Sequence, residues 1–188
     1  RTKPVEVTPS DLGPKEEAGG LMSETKPPTM EVIPVGTANR DVYNNLAQGY
    51  EAEFSAITGK KPDARGIFRL DTRIGDDVRA FLLSVGDVPA GLIAVRTKDD
   101  GSYEVAEFYV VPSFRKQAWG REFAHAIWRN LPGSWEIKQI AGAEYAAEFW
   151  RKAIGAFPQT DFREDRFDDL YWGKVTRQRF VTAVAHGA

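Results

Sequence analysis

Apolar residues along this chain change their spacing several times, and each change predicts an element. From Met30 to Gly36 apolar and polar positions alternate, which predicts a first strand with Pro34 suited to a sheet edge. Val42, Leu46, Tyr50, Phe54 and Ile57 then recur at helical spacing. Thr37 or Asn39 is placed to cap that helix and Gly59 to end it. Lys60 to Asp77 is charged and loop-rich, with room for a short second helix but no convincing period. Arg79 to Val85 and Gly91 to Thr97 are apolar runs joined by Gly86-Asp87-Val88-Pro89-Ala90, which predicts a hairpin. Glu104 to Val111 is a mostly buried strand stopped by Pro112. Trp119, Phe123, Ile127 and Leu131 then put one apolar stripe on a helix. Trp135 to Gln139 predicts the next strand, and Tyr145, Ala146, Phe149, Trp150, Ala153 and Ile154 the face of another helix. Phe162 to Phe167 and Gln178 to Val184 predict a closing strand pair. The order is that of an α+β fold: a mixed central sheet, antiparallel first and with a parallel crossover later, flanked by helices.

Composition changes this picture mainly at the start of the chain. Residues 1–29 hold five of the eleven prolines and no aromatic side chain, so they cannot bury enough apolar surface to offset the entropy of ordering. They are expected to be a disordered tail, a linker to a longer polypeptide or a remnant of one, with Met22 or Met30 as a natural start, and residues 30–188 to be the folded domain. The 188-residue chain has 42% apolar residues, enough for one packed core of ordinary size. It has no cysteine and only His125 and His186, which excludes disulfides and a Cys nucleophile and makes a metal site unexpected. His125 reads as a partly buried side chain. A formal charge of -2 gives no general attraction to nucleic acid or to an anionic membrane. No apolar run reaches the roughly 20 residues that a membrane-spanning helix needs, so a cytoplasmic setting is the expectation. Near the C-terminus, Arg163, Arg166, Lys174, Arg177 and Arg179 alternate with Asp161, Glu164, Asp165, Asp168 and Asp169, as on a solvated strand face.

The stretch with the most chemistry is the junction of the middle strand and its following helix. Ser113-Phe114-Arg115-Lys116-Gln117-Ala118-Trp119-Gly120-Arg121 turns the chain between them. It is expected to aim unpaired backbone N–H groups and three cationic side chains at whatever lies above the helix start, a setting that suits a phosphate or pyrophosphate. The nucleophile elbow, the mononucleotide P-loop and the dinucleotide glycine fingerprint are all missing from the sequence.

The run Val110-Val111-Pro112-Ser113-Phe114-Arg115-Lys116-Gln117-Ala118-Trp119-Gly120 resembles the acyl-CoA motif of the GNAT superfamily of N-acetyltransferases, in which V-x-P-x-x-R leads into (Q/R)-x-x-G-x-(G/A) and a helix. Leu131-Pro132-Gly133-Ser134-Trp135-Glu136-Ile137 and Ala146-Ala147-Glu148-Phe149-Trp150-Arg151-Lys152 resemble a group of small stand-alone predicted acetyltransferases within it. The resemblance covers roughly residues 30–184 and implies acetyl-CoA as co-substrate, no metal, and transfer of an acetyl group to an amine by direct attack in a ternary complex. It implies a cofactor site at Arg115, Lys116, Gln117, Ala118, Trp119 and Gly120, with Phe108, Tyr109 and Val110 on a strand splayed from its neighbour by a bulge. Glu107 is the first candidate for general base, with Tyr109 and Glu104 behind it, because burial would raise a carboxylate's pKa toward a useful range. The sequence departs from the motif in three places: Ala118 replaces a first glycine, Ala143 stands where Asn commonly bonds the pantetheine arm, and Trp150 where Tyr commonly protonates the thiolate. The acceptor is expected to be a small-molecule or peptide amine; a homodimer, or a partner docked through the tail, stays open. The second reading is a catalytically degenerate CoA-binding or interaction domain.

Overall fold

The computed structural model describes residues 28–183. The expected tail lies outside the described residues except for Pro28 and Thr29, as does His186; the Thr29 carbonyl accepts from the Gly86 N–H. Seven strands form one sheet: β1 (Met30–Pro34), β2 (Val78–Val85), β3 (Val88–Thr97), β4 (Tyr103–Val110), β5 (Gly133–Ile140), β6 (Gln159–Asp169) and β7 (Gly173–Thr182). The helices are α1 (Arg40–Thr58), α2 (Trp119–Asn130) and α3 (Glu144–Gly155). Spatial order is β1-β2-β3-β4-β5-β7-β6, and only β4 and β5 run parallel, with α2 as their crossover.

The middle strands read as unbroken apolar runs because both of their faces are covered. On one face Ile93, Val95, Val105, Ile137 and Phe180 meet Phe123, Ile127 and Trp128 of α2 and Trp150 and Ile154 of α3. On the other face Leu82, Leu92 and Ala94 meet Tyr43 and Ala47 of α1. Trp128 centres the first cluster, fully buried, with its ring 4.9 Å from that of Phe180.

Differences from the sequence reading are local. The β2–β3 connection is a two-residue turn, Gly86-Asp87, both with positive φ. Val88, Pro89 and Ala90 therefore belong to β3, and Pro89 is tolerated beside the register shift after Leu83. Residues 60–77 contain no second helix. The α1 face is turned by one residue from the expected stripe: Tyr43, Ala47 and Glu51 are its most buried positions, and Val42, Leu46 and Tyr50 flank them. On α3, Tyr145 is 65% exposed, and Ala147 takes the buried position. The closing strands are longer than expected, and β7 lies between β5 and β6. Of the basic residues there, Arg177 and Arg179 pair with Asp165 and Lys174 with Asp168, while Arg163 and Arg166 form no ion pair among the described residues; Glu164 is taken by Arg151 of α3. His125 is buried and bonded through Nε2 to the Ala153 carbonyl at 2.9 Å, so it ties α2 to α3.

Candidate active site

The sheet opens at its middle. Ala94 pairs with Glu107 and Val95 with Val105, which leaves Ala106 as an extra residue in β4 and makes a bulge there. Pairing of β4 with β5 is confined to Tyr103 with Trp135, Glu104 with Glu136 and Val105 with Ile137. Beyond Val105 the two strands diverge, so the β5-side edge of β4 from Ala106 to Val110 has no ladder partner. Phe108 lies beside this opening and packs on α3, its ring 4.7 Å from Trp150 and 5.4 Å from Phe149.

The turn into α2 sits at the C-terminal end of β4. Lys116 and Ala118 both have left-handed backbone, φ +64° and +66°, and Ala118 is the N-cap of α2. The position where the motif has glycine is thus one that favours glycine, and alanine stands there under strain. The first amides of α2, from Trp119 onward, have no intrahelical acceptor. Gly120 lies over Val110 and Phe149, where an added Cβ would meet ordinary contact distances of 3.4 and 3.5 Å. Trp119 is half-buried against the core, and the Gln117 side chain donates back to the Ser113 carbonyl. The cationic side chains do not act alike. Arg115 turns back: its Nε donates to the Val110 carbonyl at 2.7 Å, its Nη2 to both Glu53 oxygens at 2.9 Å, and its guanidinium lies 5.5 Å from the Tyr109 ring centre. Arg121 pairs with Glu122, while Lys116 is exposed and has no ion pair among the described residues.

Glu107 follows the bulge and faces α1. It is buried and accepts from the Tyr43 hydroxyl at 2.7 Å. Desolvation raises its pKa above the ordinary carboxylate value, and the nearby Glu51 charge adds to the rise; hydrogen bonds from Tyr43 and from Thr72 oppose it. Tyr43 and Tyr50 are also pushed upward, first by burial and then by the Glu107 charge. Glu51 is buried and is held by Lys60 at 2.8 Å; its Oε1 also accepts from the Asp71 N–H. Gln48 bonds the backbone of Phe68 in both directions, which fixes the 60–77 loop on α1 and brings Thr72 to Glu107. The other two base candidates are engaged differently. Tyr109 is buried with its pKa raised by desolvation and by Glu53, and Glu104 is held by Lys138 at 3.4 Å.

Two positions on the far side of the opening complete the site. Ala143, the N-cap of α3, is buried, and its methyl group offers no hydrogen bond. Trp150 is buried among Phe108, Phe149 and Trp128. The sequence reading missed Gln139, on the part of β5 that β4 has left. It is buried, and neither its Nε2 nor its Oε1 has a partner among the described residues. A glutamine in a strand otherwise alternating Trp135, Ile137 inward was the available signal. It also missed Tyr43, Glu51 and Thr72; the first two are spaced i, i+8 on α1, and Thr72 carries no signal in sequence.

Among the described residues there is no group of three or more His, Cys, Asp or Glu side chains able to hold a metal ion, and no helix long and apolar enough to cross a membrane. No model of a known protein family matches the sequence, and no curated protein matches it. Solved structures do match. RimL, a ribosomal L7/L12 α-N-protein acetyltransferase solved with coenzyme A, superposes with a TM-score of 0.59 at 10% identity, over 82% of this chain and 94% of that one. An acetyltransferase from Thermus thermophilus gives 0.57 at 14% identity, over 80% and 96%. The ribosomal-protein-S18-alanine N-acetyltransferase of Escherichia coli gives 0.54 at 11% identity, over 85% and 99%. At these identities the likeness is one of architecture: the chain has the mixed-sheet fold of the GNAT acyl-CoA N-acyltransferases.

Proposed function

We propose that this protein is an acyl-CoA-dependent N-acyltransferase that moves an acetyl group from acetyl-CoA to an amine within a ternary complex. The observation that carries the reading is the opening between β4 and β5 beside the start of α2, on a fold shared with N-acetyltransferases. Pyrophosphate would lie against the α2 amides at Trp119 and Gly120, with Lys116 supplying a free cation. The edge of β4 from Ala106 to Val110, which has no ladder partner and of which Arg115 occupies only the Val110 carbonyl, would bind the pantetheine arm by strand-like hydrogen bonds and polarise the thioester carbonyl. The neutral amine attacks the carbonyl carbon, a C–N bond forms, and the C–S bond breaks to release CoA thiolate. Glu107 takes the amine proton through the Tyr43 hydroxyl, which already donates to it. Trp150 carries no acid that works near neutral pH, so the thiolate leaves unprotonated, as the low pKa of a thiol permits.

Titration calorimetry with CoA tests the central step. Binding is expected for the unaltered protein, and Gly120→Glu, which sets a carboxylate where the phosphates would lie, is expected to abolish it. No binding to the unaltered protein, or equal binding by the variant, refutes the assignment. A second reading is favoured by Ala143 and Trp150: a domain that binds CoA without transfer. Release of thiol from acetyl-CoA across an amine panel separates the two, since the second reading requires binding without turnover.

A further inference from the structure

On the α1 face, a cavity of about 410 Å³ opens between the start of α1 and the 60–77 loop. Tyr43 and Thr72 line it, and both also bond Glu107, so its inner end meets the proposed proton acceptor. Arg40 and Arg73 line it as well, and neither forms an ion pair among the described residues. Arg40 makes only a long bond, 3.5 Å, to the Ile74 carbonyl. Leu70 and Ile74 supply the apolar wall. The cavity lies toward the N-terminal half of α1, whereas Glu53, near the other end of that helix, reaches Arg115 in the turn before α2. It is therefore separate from the end of β4 where CoA would enter.

Two unpaired guanidiniums beside a buried acid favour one kind of amine. We infer that the acceptor carries a carboxylate close to its amino group: an apolar α-amino acid or the like, with the nitrogen at Tyr43, the carboxylate between Arg40 and Arg73, and the side chain against Leu70 and Ile74. A guanidinium pair recognises a carboxylate by charge-assisted, often bidentate, bonds. It repels a polyamine. A pocket of this volume is in the range of about 300–1,000 Å³ that small ligands occupy. The inference rests on the acyltransferase reading for its context, but the pocket's preference for an anion is measurable without turnover.

The experiment compares leucine, leucinamide and spermidine as acceptors for acetyl-CoA, and N-acetylleucine with N-acetylleucinamide as ligands in calorimetry. Leucine is expected to exceed leucinamide in kcat/KM, and N-acetylleucine to bind more tightly than its amide, each by about 10- to 100-fold, the size of one charge-assisted contact. Arg40→Gln and Arg73→Gln should each narrow both ratios, while Arg69→Gln, a loop arginine outside the cavity, should not. Equal binding of acid and amide, or spermidine as the better acceptor, overturns the inference. No turnover with any of these acceptors, with the acid still bound in preference to its amide, would count against the acyltransferase reading and leave the pocket's preference for a carboxylate standing.

Discussion

Replacing Glu107 by Gln removes one buried charge and turns one acceptor facing Tyr43 or Thr72 into a donor; the second change is the same at every pH, so the pH dependence of the effect on stability has a defined sign and a defined window. The carboxyl is raised from an ordinary 4.5 because burial outweighs the bonds from Tyr43 and Thr72. Below the ordinary value Glu107 is neutral in both the folded and unfolded chains. As pH rises past it, the unfolded chain releases this proton while the folded chain retains it, so the native protein loses stability until the raised folded pKa is passed. The loss is about 1.4 kcal/mol for each unit of elevation. The amide variant has no such proton, and every other titrating group is common to both proteins. The stability of Glu107→Gln minus that of the native protein should therefore climb as pH rises above the ordinary value of 4.5 and level off once the raised folded pKa is passed. Urea unfolding followed by tryptophan fluorescence reads it. A difference that is flat with pH, or that grows toward acid, would sink the claim that Glu107 is a desolvated carboxylate. The same variant should lose about 100-fold in acyl transfer if Glu107 receives the amine proton.

Ala118→Gly should relieve left-handed strain of about 1–2 kcal/mol and give back about 0.4–1 kcal/mol through the freer unfolded chain, for a net gain of about 0.5–1 kcal/mol in urea titration; a net loss would mean that the turn is not strained there. Gly91→Ala would place a Cβ 2.4 Å from the Tyr109 carbonyl oxygen in the adjacent strand, and a destabilisation of about 3 kcal/mol is expected from the urea midpoint. Gln139→Leu exchanges an unpartnered buried amide for an apolar group of similar size, and should raise stability by about 1–2 kcal/mol. A loss on that exchange would show that the amide has a partner in solution.

Much of the fold could be read from spacing, and the errors have a common cause. Strands β2 to β5 were legible because residues buried on both faces make apolar runs that turn residues such as Gly86 and Gly101 interrupt. Helices α1 and α2 were legible from their apolar stripes, that of α1 ended by Gly59. The misplacements were rotations. On α1 the most buried line contains Glu51, and a search for apolar residues slides to its neighbours Val42, Leu46 and Tyr50. On α3 the large ring of Tyr145 suggests a core position, yet it is the small side chain of Ala147 that is buried.

The site divides along the same line between local and distant contacts. The turn at Ser113 to Gly120 was legible as the junction of β4 and α2 because it is encoded consecutively, and the proposed phosphate contacts would be to its consecutive backbone amides. What Arg115 does was not legible, because its partner Glu53 is 62 residues away on α1 and the sequence offers it only as one more cation near a phosphate loop. That pairing changes the electrostatics of the proposed anchor. With Arg115 neutralised by Glu53 and Arg121 by Glu122, Lys116 is the cation of the turn that has no ion pair among the described residues. The backbone dipoles of α2 must then carry most of the attraction for the pyrophosphate. An anchor built from amides tolerates changes of side chain, which is why alanine at position 118 can stand in a turn that favours glycine without removing the chemistry the turn would serve.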